Sequence, residues 1–277
     1  VAILLALSSA LTYGIGDFCG GLATRRATAA AVLLWSHVVG LALLTVGALL
    51  VTGTADGGDL GFGVLGGLAG AAGVGLLYQA LSIGPMSVVA PVTALLAAAV
   101  PVAAGFLQGE RPGGLALLGM AGALLAIVLV SAEGGGSLRP KDLRGITFAL
   151  GAGLGFGLFF VALSSTSDES GLWPLVAARC TSVSLLTVLG LLGVVSARIP
   201  AGPGRPLAAT AGALDGVANI FYLLAIREGL LSVVSVLTAL YPVSTVILAR
   251  LVLGERFVAM QRVGMALAIP ATIALAL

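Results

Sequence analysis

Of 277 residues, 59% are strongly hydrophobic and 9% charged, with a mean hydropathy of +1.18 and a net charge of +2. A water-facing domain carries roughly 25% charged residues to cover its surface, so this composition excludes a soluble protein and makes lipid the solvent of nearly the whole chain. So small a net charge indicates no nucleic-acid partner, and Cys19 and Cys180, far apart and flanked by small or apolar residues, support neither a disulfide framework nor a metal site.

A helix crossing about 30 Å of hydrocarbon needs about 20 apolar residues, and charges, Gly-Pro pairs or Ser/Asp clusters mark the breaks. In chain order this predicts spans over 2–23, 30–51, 60–81, 86–107, 114–131, 143–164, 172–195, 207–226, 230–253 and 258–277. The first has neither the basic start nor the cleavage-like end of a signal peptide and is read as a membrane helix. Most connections are short turns. The exception is 133–142, which holds Gly134, Gly135, Gly136, Arg139, Pro140 and Lys141 and separates two units of five spans, 1–132 and 143–277.

Sliding the chain against itself shows that the two units are copies. At an offset of 145, residues 80–126 meet 225–271 without a gap. Ser87-Val88-Val89 falls on Ser232-Val233-Val234, Thr93-Ala94-Leu95 on Thr238-Ala239-Leu240, Gly109-Glu110-Arg111 on Gly254-Glu255-Arg256, and Gly119-Met120-Ala121 on Gly264-Met265-Ala266. Five spans is an odd number, so the second copy enters the membrane from the opposite side. The expected fold is all-α: ten transmembrane helices arranged as two inverted five-helix repeats around a central cavity. Secondary transporters share this architecture, with a site near the midplane between the repeats.

A duplicated five-helix unit whose fourth helix ends in Gly-Glu-Arg before a Gly-containing fifth resembles the EamA family of the drug/metabolite transporter superfamily. The resemblance covers essentially the whole chain. Its most specific pieces are Tyr241-Pro242-Val243 followed by Leu253-Gly254-Glu255-Arg256, the earlier Gly109-Glu110-Arg111, and Arg179, placed where the family commonly carries an arginine. The first copy departs from the pattern, with His37 near the place of that arginine and Ala97 where Pro242 would be. The resemblance implies export of amino acids, aromatic ones among them, drugs or other small metabolites across a prokaryotic cell (inner) membrane.

Ionisable side chains inside a span are costly and mark functional candidates, here Asp17, His37, Arg179 and Asp215. At 1.5 Å per residue, Asp17 and His37 both lie roughly 9–11 Å from one face. They are expected to pair, either as a protonation-sensitive couple or as a structural hydrogen bond between two helices. Arg179 and Asp215 fall within roughly 8 Å of each other in depth, which permits a pair, while the planar fork of Arg179 equally suits a substrate carboxylate. Gln79 and Asn219 should face inward, because an amide in lipid lacks partners. Tyr13, Tyr78, Tyr222 and Tyr241 are cavity candidates, Tyr78 and Tyr222 at nearly equivalent places in the two copies. Trp173 and Trp35 suit anchoring at a membrane face.

Gly-Glu-Arg reads as the close of a helix turn at the membrane face. Its glutamate needs a cationic or hydrogen-bonding partner, since a carboxylate opposes the dipole at a helix C-terminus. Glycines spaced by four, such as Gly63/Gly67 and Gly151/Gly155, give smooth packing faces. Pro91, Pro101 and Pro242, inside the fourth spans of the two copies, should kink them or free carbonyls.

No enzyme chemistry is expected: the sole histidine has no serine elbow beside it, and neither His-Glu-x-x-His nor an Asp-rich magnesium motif occurs. No cofactor and no metal is expected either, and without a nucleotide-binding loop any energy comes from a gradient. One lysine and one deep arginine disfavour a strongly anionic cargo. The preferred reading is a secondary transporter of a small molecule, an amino acid first, in which the two halves rock around a midplane cavity. An uncoupled facilitator and a drug exporter of the same fold stand as alternatives, ahead of a channel, scaffold or enzyme.

Connections after odd-numbered spans hold Arg25, Arg26, Arg139, Lys141, Arg144, Arg198, Arg205 and Arg256, against Arg111 and Arg227 after even-numbered ones. The positive-inside rule then puts the N-terminus outside, whereas the resemblance implies cytoplasmic termini. A C-terminal alkaline phosphatase fusion separates the two: activity is the outcome the arginine bias predicts, and an inactive fusion with a fluorescent cytoplasmic counterpart is what the resemblance implies.

Overall fold

The structure, a computed structural model, describes residues 1–83, 86–131, 142–196, 198, 202–254 and 256–277, with the side chains of 78, 81–83, 86–88, 90, 91, 142 and 143 outside the description. The linker expected over 133–142 and Glu255 thus lie largely or wholly outside the described residues. The helices are α1 (Ala2–Thr24), α2 (Ala29–Leu50), α3 (Gly57–Ile83), α4 (Met86–Leu107), α5 (Gly114–Ser131), α6 (Asp142–Ser164), α7 (Trp173–Leu191), α8 (Gly204–Glu228), α9 (Leu231–Thr238), α10 (Tyr241–Leu253) and α11 (Ala259–Ala276). No strand occurs among the described residues. Lipid offers no partner to a backbone N–H or C=O, and a helix satisfies both within itself. Together the helices make ten spans, the ninth formed by α9 and α10 in line.

That ninth span is broken. Pro242 has no N–H for the carbonyl four residues earlier, that of Thr238, and α9 closes with a last α-helical bond from Ala239 N to Ser235 O (3.0 Å) and a tighter one from Leu240 N to Leu237 O (3.2 Å) before α10 starts at Tyr241. Ala97 occupies the equivalent place in the first copy, and α4 runs uninterrupted through Pro91 and Pro101. Of the three prolines expected to disturb their helices, Pro242 alone divides one.

Exchanging the two copies leaves the packing unchanged. Helix α1 packs on α8 as α6 packs on α3, α2 on α8 as α7 on α3, and α4 on α6 as α9 and α10 on α1; α2 with α7 and α5 with α11 pair across the axis. Individual contacts obey the 145-residue register. A side chain added at Gly119 would strike Leu275 and the Ala271 carbonyl, and one at Gly264 would strike Val130, the mate of Leu275. Gly67 lies against Ala178 and Thr181 of α7 as Gly212 lies against the Ser36 backbone of α2, the mate of Thr181.

The strongest contacts therefore run between copies, and neither copy is a body by itself. By packing, the helices form groups that mix the copies: α1, α2 and α8 in one, α3, α4 and α6 in the other. Alternation of the spans puts both chain ends and the 51–56, 108–113, 165–172 and 229–230 connections on one face, here the terminal face. The exposed Arg25, Arg26, Arg144, Arg198, Arg205, Arg250, Arg256 and Arg262 lie on the opposite, arginine face.

The large core lies mainly toward the terminal face, with Leu44, Leu163, Leu175, Tyr222, Leu223 and Leu237 among its members. Toward the arginine face it divides. Ala23, Val32 and Ala208 form a small cluster of α1, α2 and α8, while Ala80, Val89 and Ala149 form a separate one of α3, α4 and α6. The buried core is thus divided between the two mixed groups toward the arginine side.

Polar contacts seal the terminal face. Arg227 donates to Ser167 O, Ser170 Oγ and Gly171 O at 2.9–3.0 Å, and Asp59 accepts from Ser167 N (2.7 Å) and Ser167 Oγ (2.8 Å). The indole N–H of Trp173 donates to Gly53 O at 3.2 Å, matching its expected place at a membrane face, while Trp35 lies under the Arg205 guanidinium at 5.1 Å. Glu110 makes the bond that joins the copies most directly. Gly109, at φ +92°, ends α4 in a left-handed turn, and the Glu110 carboxylate accepts from Leu231 N (2.5 Å) and Ser232 N (3.0 Å) at the start of α9. Helix α9 has no side-chain cap of its own, so a residue of the other copy supplies it, and a carboxylate unfavourable at its own helix end becomes favourable at a neighbour's start.

Two outcomes follow from this packing. Gly212→Val forces the added side chain into the Ser36 backbone and is expected to destabilise the fold by about 1–3 kcal/mol, read as a lower thermal midpoint, while Gly75→Ala, with nothing within 4 Å, leaves it unchanged. Glu110→Ala removes a cap worth about 1 kcal/mol, and amide hydrogen exchange at Leu231 and Ser232 is expected to speed by about fivefold.

Candidate functional site

Helices α2, α7 and α8 meet inside the membrane around the two opposite charges of the second copy. Arg179 of α7 forms an ion pair with Asp215 of α8. Glycine makes room for it: a Cβ at Gly40 of α2 would lie 3.8 Å from Arg179 Nε and 3.0 Å from the Gly212 carbonyl. The side chains are 10% and 35% exposed, so the cationic side of the pair is buried and the carboxylate side remains open. One turn farther along α8, Asn219 donates through Nδ2 to Asp215 O (2.7 Å) and Oδ2 (3.3 Å). Of the two expectations for Arg179, pairing is the one present in the unliganded chain.

His37 is buried on α2 with Nδ1 2.9 Å from Ser182 Oγ of α7. The Ser182 hydroxyl also lies 3.1 Å from Arg179 O, to which it can donate. Ser182 stands 145 residues after His37, hence these are the same position in the two copies and the pseudo-twofold axis passes between them. The expected Asp17–His37 pair is not formed. Asp17 lies on the arc of α1 between Gly16 and Gly20, which face α8, and Gly14, which faces α10. It is exposed there and has no hydrogen-bonding or ionic partner among the described residues. Equal depth did not bring the two side chains to the same azimuth.

The remaining candidates divide. Tyr13, one turn from Asp17 on the same side of α1, and Tyr241, at the start of α10, are half-buried. Tyr222 is wholly buried, its hydroxyl 3.0 Å from Ser235 Oγ and its ring 4.2 Å from that of Phe160, so it packs within the core. The Tyr78 side chain lies outside the described residues. Gln79, expected to face inward, is exposed near the arginine-face end of α3, while Asn219 is buried as expected. Ser182, Gly40 and Thr238 belong to the same region and are not singled out by residue type. The repeat register does mark Ser182, as the mate of His37, and the four-residue spacing to Pro242 marks Thr238.

The site is therefore a polar strip at mid-membrane depth: a guanidinium, a carboxylate and an amide between α7 and α8, a histidine on the axis, and on α1 a carboxylate without a partner among the described residues. Such a strip can receive a ligand carrying both charges. No curated protein matches the chain. One solved crystal structure aligns with 100% of this chain and 98% of its own, at a TM-score of 0.78 and 21% identity, a likeness of fold. Residues 1–132 and 143–277 match the model of the EamA-like transporter family. With two inverted repeats of membrane helices and a family match over nearly its full length, the chain belongs to the EamA-like transporter family, as a multi-pass integral membrane protein of the drug/metabolite transporter type.

Proposed function

We propose that the protein is a secondary transporter that exports amino acids, with aromatic or other apolar side chains favoured, or similar small metabolites, by alternating access across a prokaryotic cell (inner) membrane. The observation that carries this reading is the Arg179–Asp215 pair, an opposite-charge couple inside the membrane whose carboxylate side is partly exposed. A zwitterion is its electrostatic complement. The ligand carboxylate takes one face of the Arg179 fork, the ligand ammonium lies within the field of Asp215, and the four charges leave the site neutral. Tyr13 and Tyr241 offer rings for an apolar side chain. Polar contacts across the terminal face and a core divided toward the arginine face support a form open to the arginine side, and exchange of the copies would generate the form open to the other.

Substrate is identified by counterflow with purified full-length protein in liposomes, using labelled phenylalanine, leucine, serine and a quaternary-amine drug, with and without a pH gradient. Phenylalanine or leucine is expected to exchange fastest, and gradient-driven accumulation separates coupled from uncoupled transport.

Arg179→Gln is expected to reduce that exchange by at least about tenfold, the loss of a charge-assisted contact. Combining it with Asp215→Asn should restore the thermal midpoint while leaving exchange lost. Recovery of exchange in the double variant would show the pair to be structural only.

A further inference from the structure

We propose that Asn219 and Thr238 hold the primary ammonium group of the cargo at the break between α9 and α10; this rests on the reading of the cargo as an amino acid and names the atoms that would recognise its amine. Asn219 is 2% and Thr238 1% exposed, yet Asn219 Oδ1 and Thr238 Oγ1 have no hydrogen-bond partner. Buried oxygens left unpaired are rare and mark places where something else is bound.

The orientation of Asn219 is not ambiguous. Both groups around its Nδ2, the carbonyl and the carboxylate oxygen of Asp215, can only accept, so the amide nitrogen must face them and Oδ1 must point away. The turn between α8 and α9 sets the register of the two antiparallel helices through the Tyr222–Ser235 contact at 3.0 Å. Three residues nearer the arginine face on each helix, that register brings Asn219 level with Thr238.

A third acceptor comes from the break itself. Pro242 offers no N–H to the Thr238 carbonyl, so that oxygen is missing its usual helical donor. It lies at the C-terminal, negative end of α9, where cations are favoured. An ammonium group has three N–H donors, and the two side-chain oxygens with this carbonyl are three acceptors. A hard divalent ion takes six or more oxygens and would be poorly served. The Asp215 carboxylate, tied to Asn219, supplies formal negative charge one turn away on the same helix.

The test uses the purified full-length chain and its thermal midpoint in titrations of phenethylamine, which has the ammonium alone, 3-phenylpropionate, which has the carboxylate alone, phenylalanine, which has both, and sodium chloride. Thr238→Val is close in shape and removes a hydroxyl with no partner, so its unliganded midpoint should match that of the native chain. Phenethylamine and phenylalanine are expected to stabilise the native protein. In Thr238→Val the phenethylamine midpoint should rise by about tenfold, as expected for one lost hydrogen bond to a charged group, while the 3-phenylpropionate titration is unchanged and Thr238→Ser recovers native behaviour. Identical phenethylamine titrations in native and Thr238→Val protein would overturn the assignment, as would stabilisation by sodium in place of the amine. Stabilisation by 3-phenylpropionate and phenylalanine without any by phenethylamine would remove the ammonium site and leave the amino-acid reading standing. No stabilisation by any organic probe would overturn both.

Discussion

In hydrocarbon no water completes the hydrogen bonding of a backbone, so every interruption of a helix must be answered by another part of the protein. That constraint organises this molecule. Its spans are helical throughout except where α9 gives way to α10, and the interruption lies in the interior beside the polar strip of α8. The start of α9 is answered from the other copy by Glu110, and its end by the short-range bond from Leu240 N to Leu237 O. The division brings the C-terminal end of α9 and the start of α10 into the membrane.

Close helix packing follows from the same solvent. Lipid tails are as apolar as leucine, so helices associate by fit and not by escape from water. Glycine supplies that fit here: Gly151 and Gly155 turn one side of α6 to α3, while Gly153 and Gly157 turn another to α4. Because these contacts join one copy to the other, the duplicated halves interlock. Toward the arginine face the core divides along the same mixed grouping, into α1, α2 and α8 against α3, α4 and α6.

Much of this was legible in the residues. Apolar length located the ten spans, with 86–107 and 114–131 placed at the limits that α4 and α5 have. The 145-residue register recurs in contacts as specific as Gly119 on Leu275 and Gly264 on Val130. What stayed hidden was rotation about the helix axes. Asp17 and His37 share a depth, but depth along a helix leaves the direction of a side chain free, and His37 turns to α7. Tyr222 is polar enough for a cavity and large enough for a core, and only its neighbours Ser235 and Phe160 decide for the core. Three prolines gave equal warning of a break. Pro242 alone divides its helix, at a position where the other copy has Ala97.

The meeting of His37 with Ser182 on the pseudo-twofold axis has a consequence for the balance between conformations. Swapping the roles of the two copies converts a molecule open on one side into a molecule open on the other. Identical copies would make these two forms equal in free energy, apart from the asymmetry of the membrane itself. Their relative occupancy is therefore written in the positions where the copies differ, at about 1.4 kcal/mol for each tenfold in population. An imidazole facing a hydroxyl across the axis, and a proline facing an alanine in the fourth span, are departures of that kind. In a duplicated protein the sequence differences between the halves, and not the features they share, decide which side of the membrane the resting molecule faces.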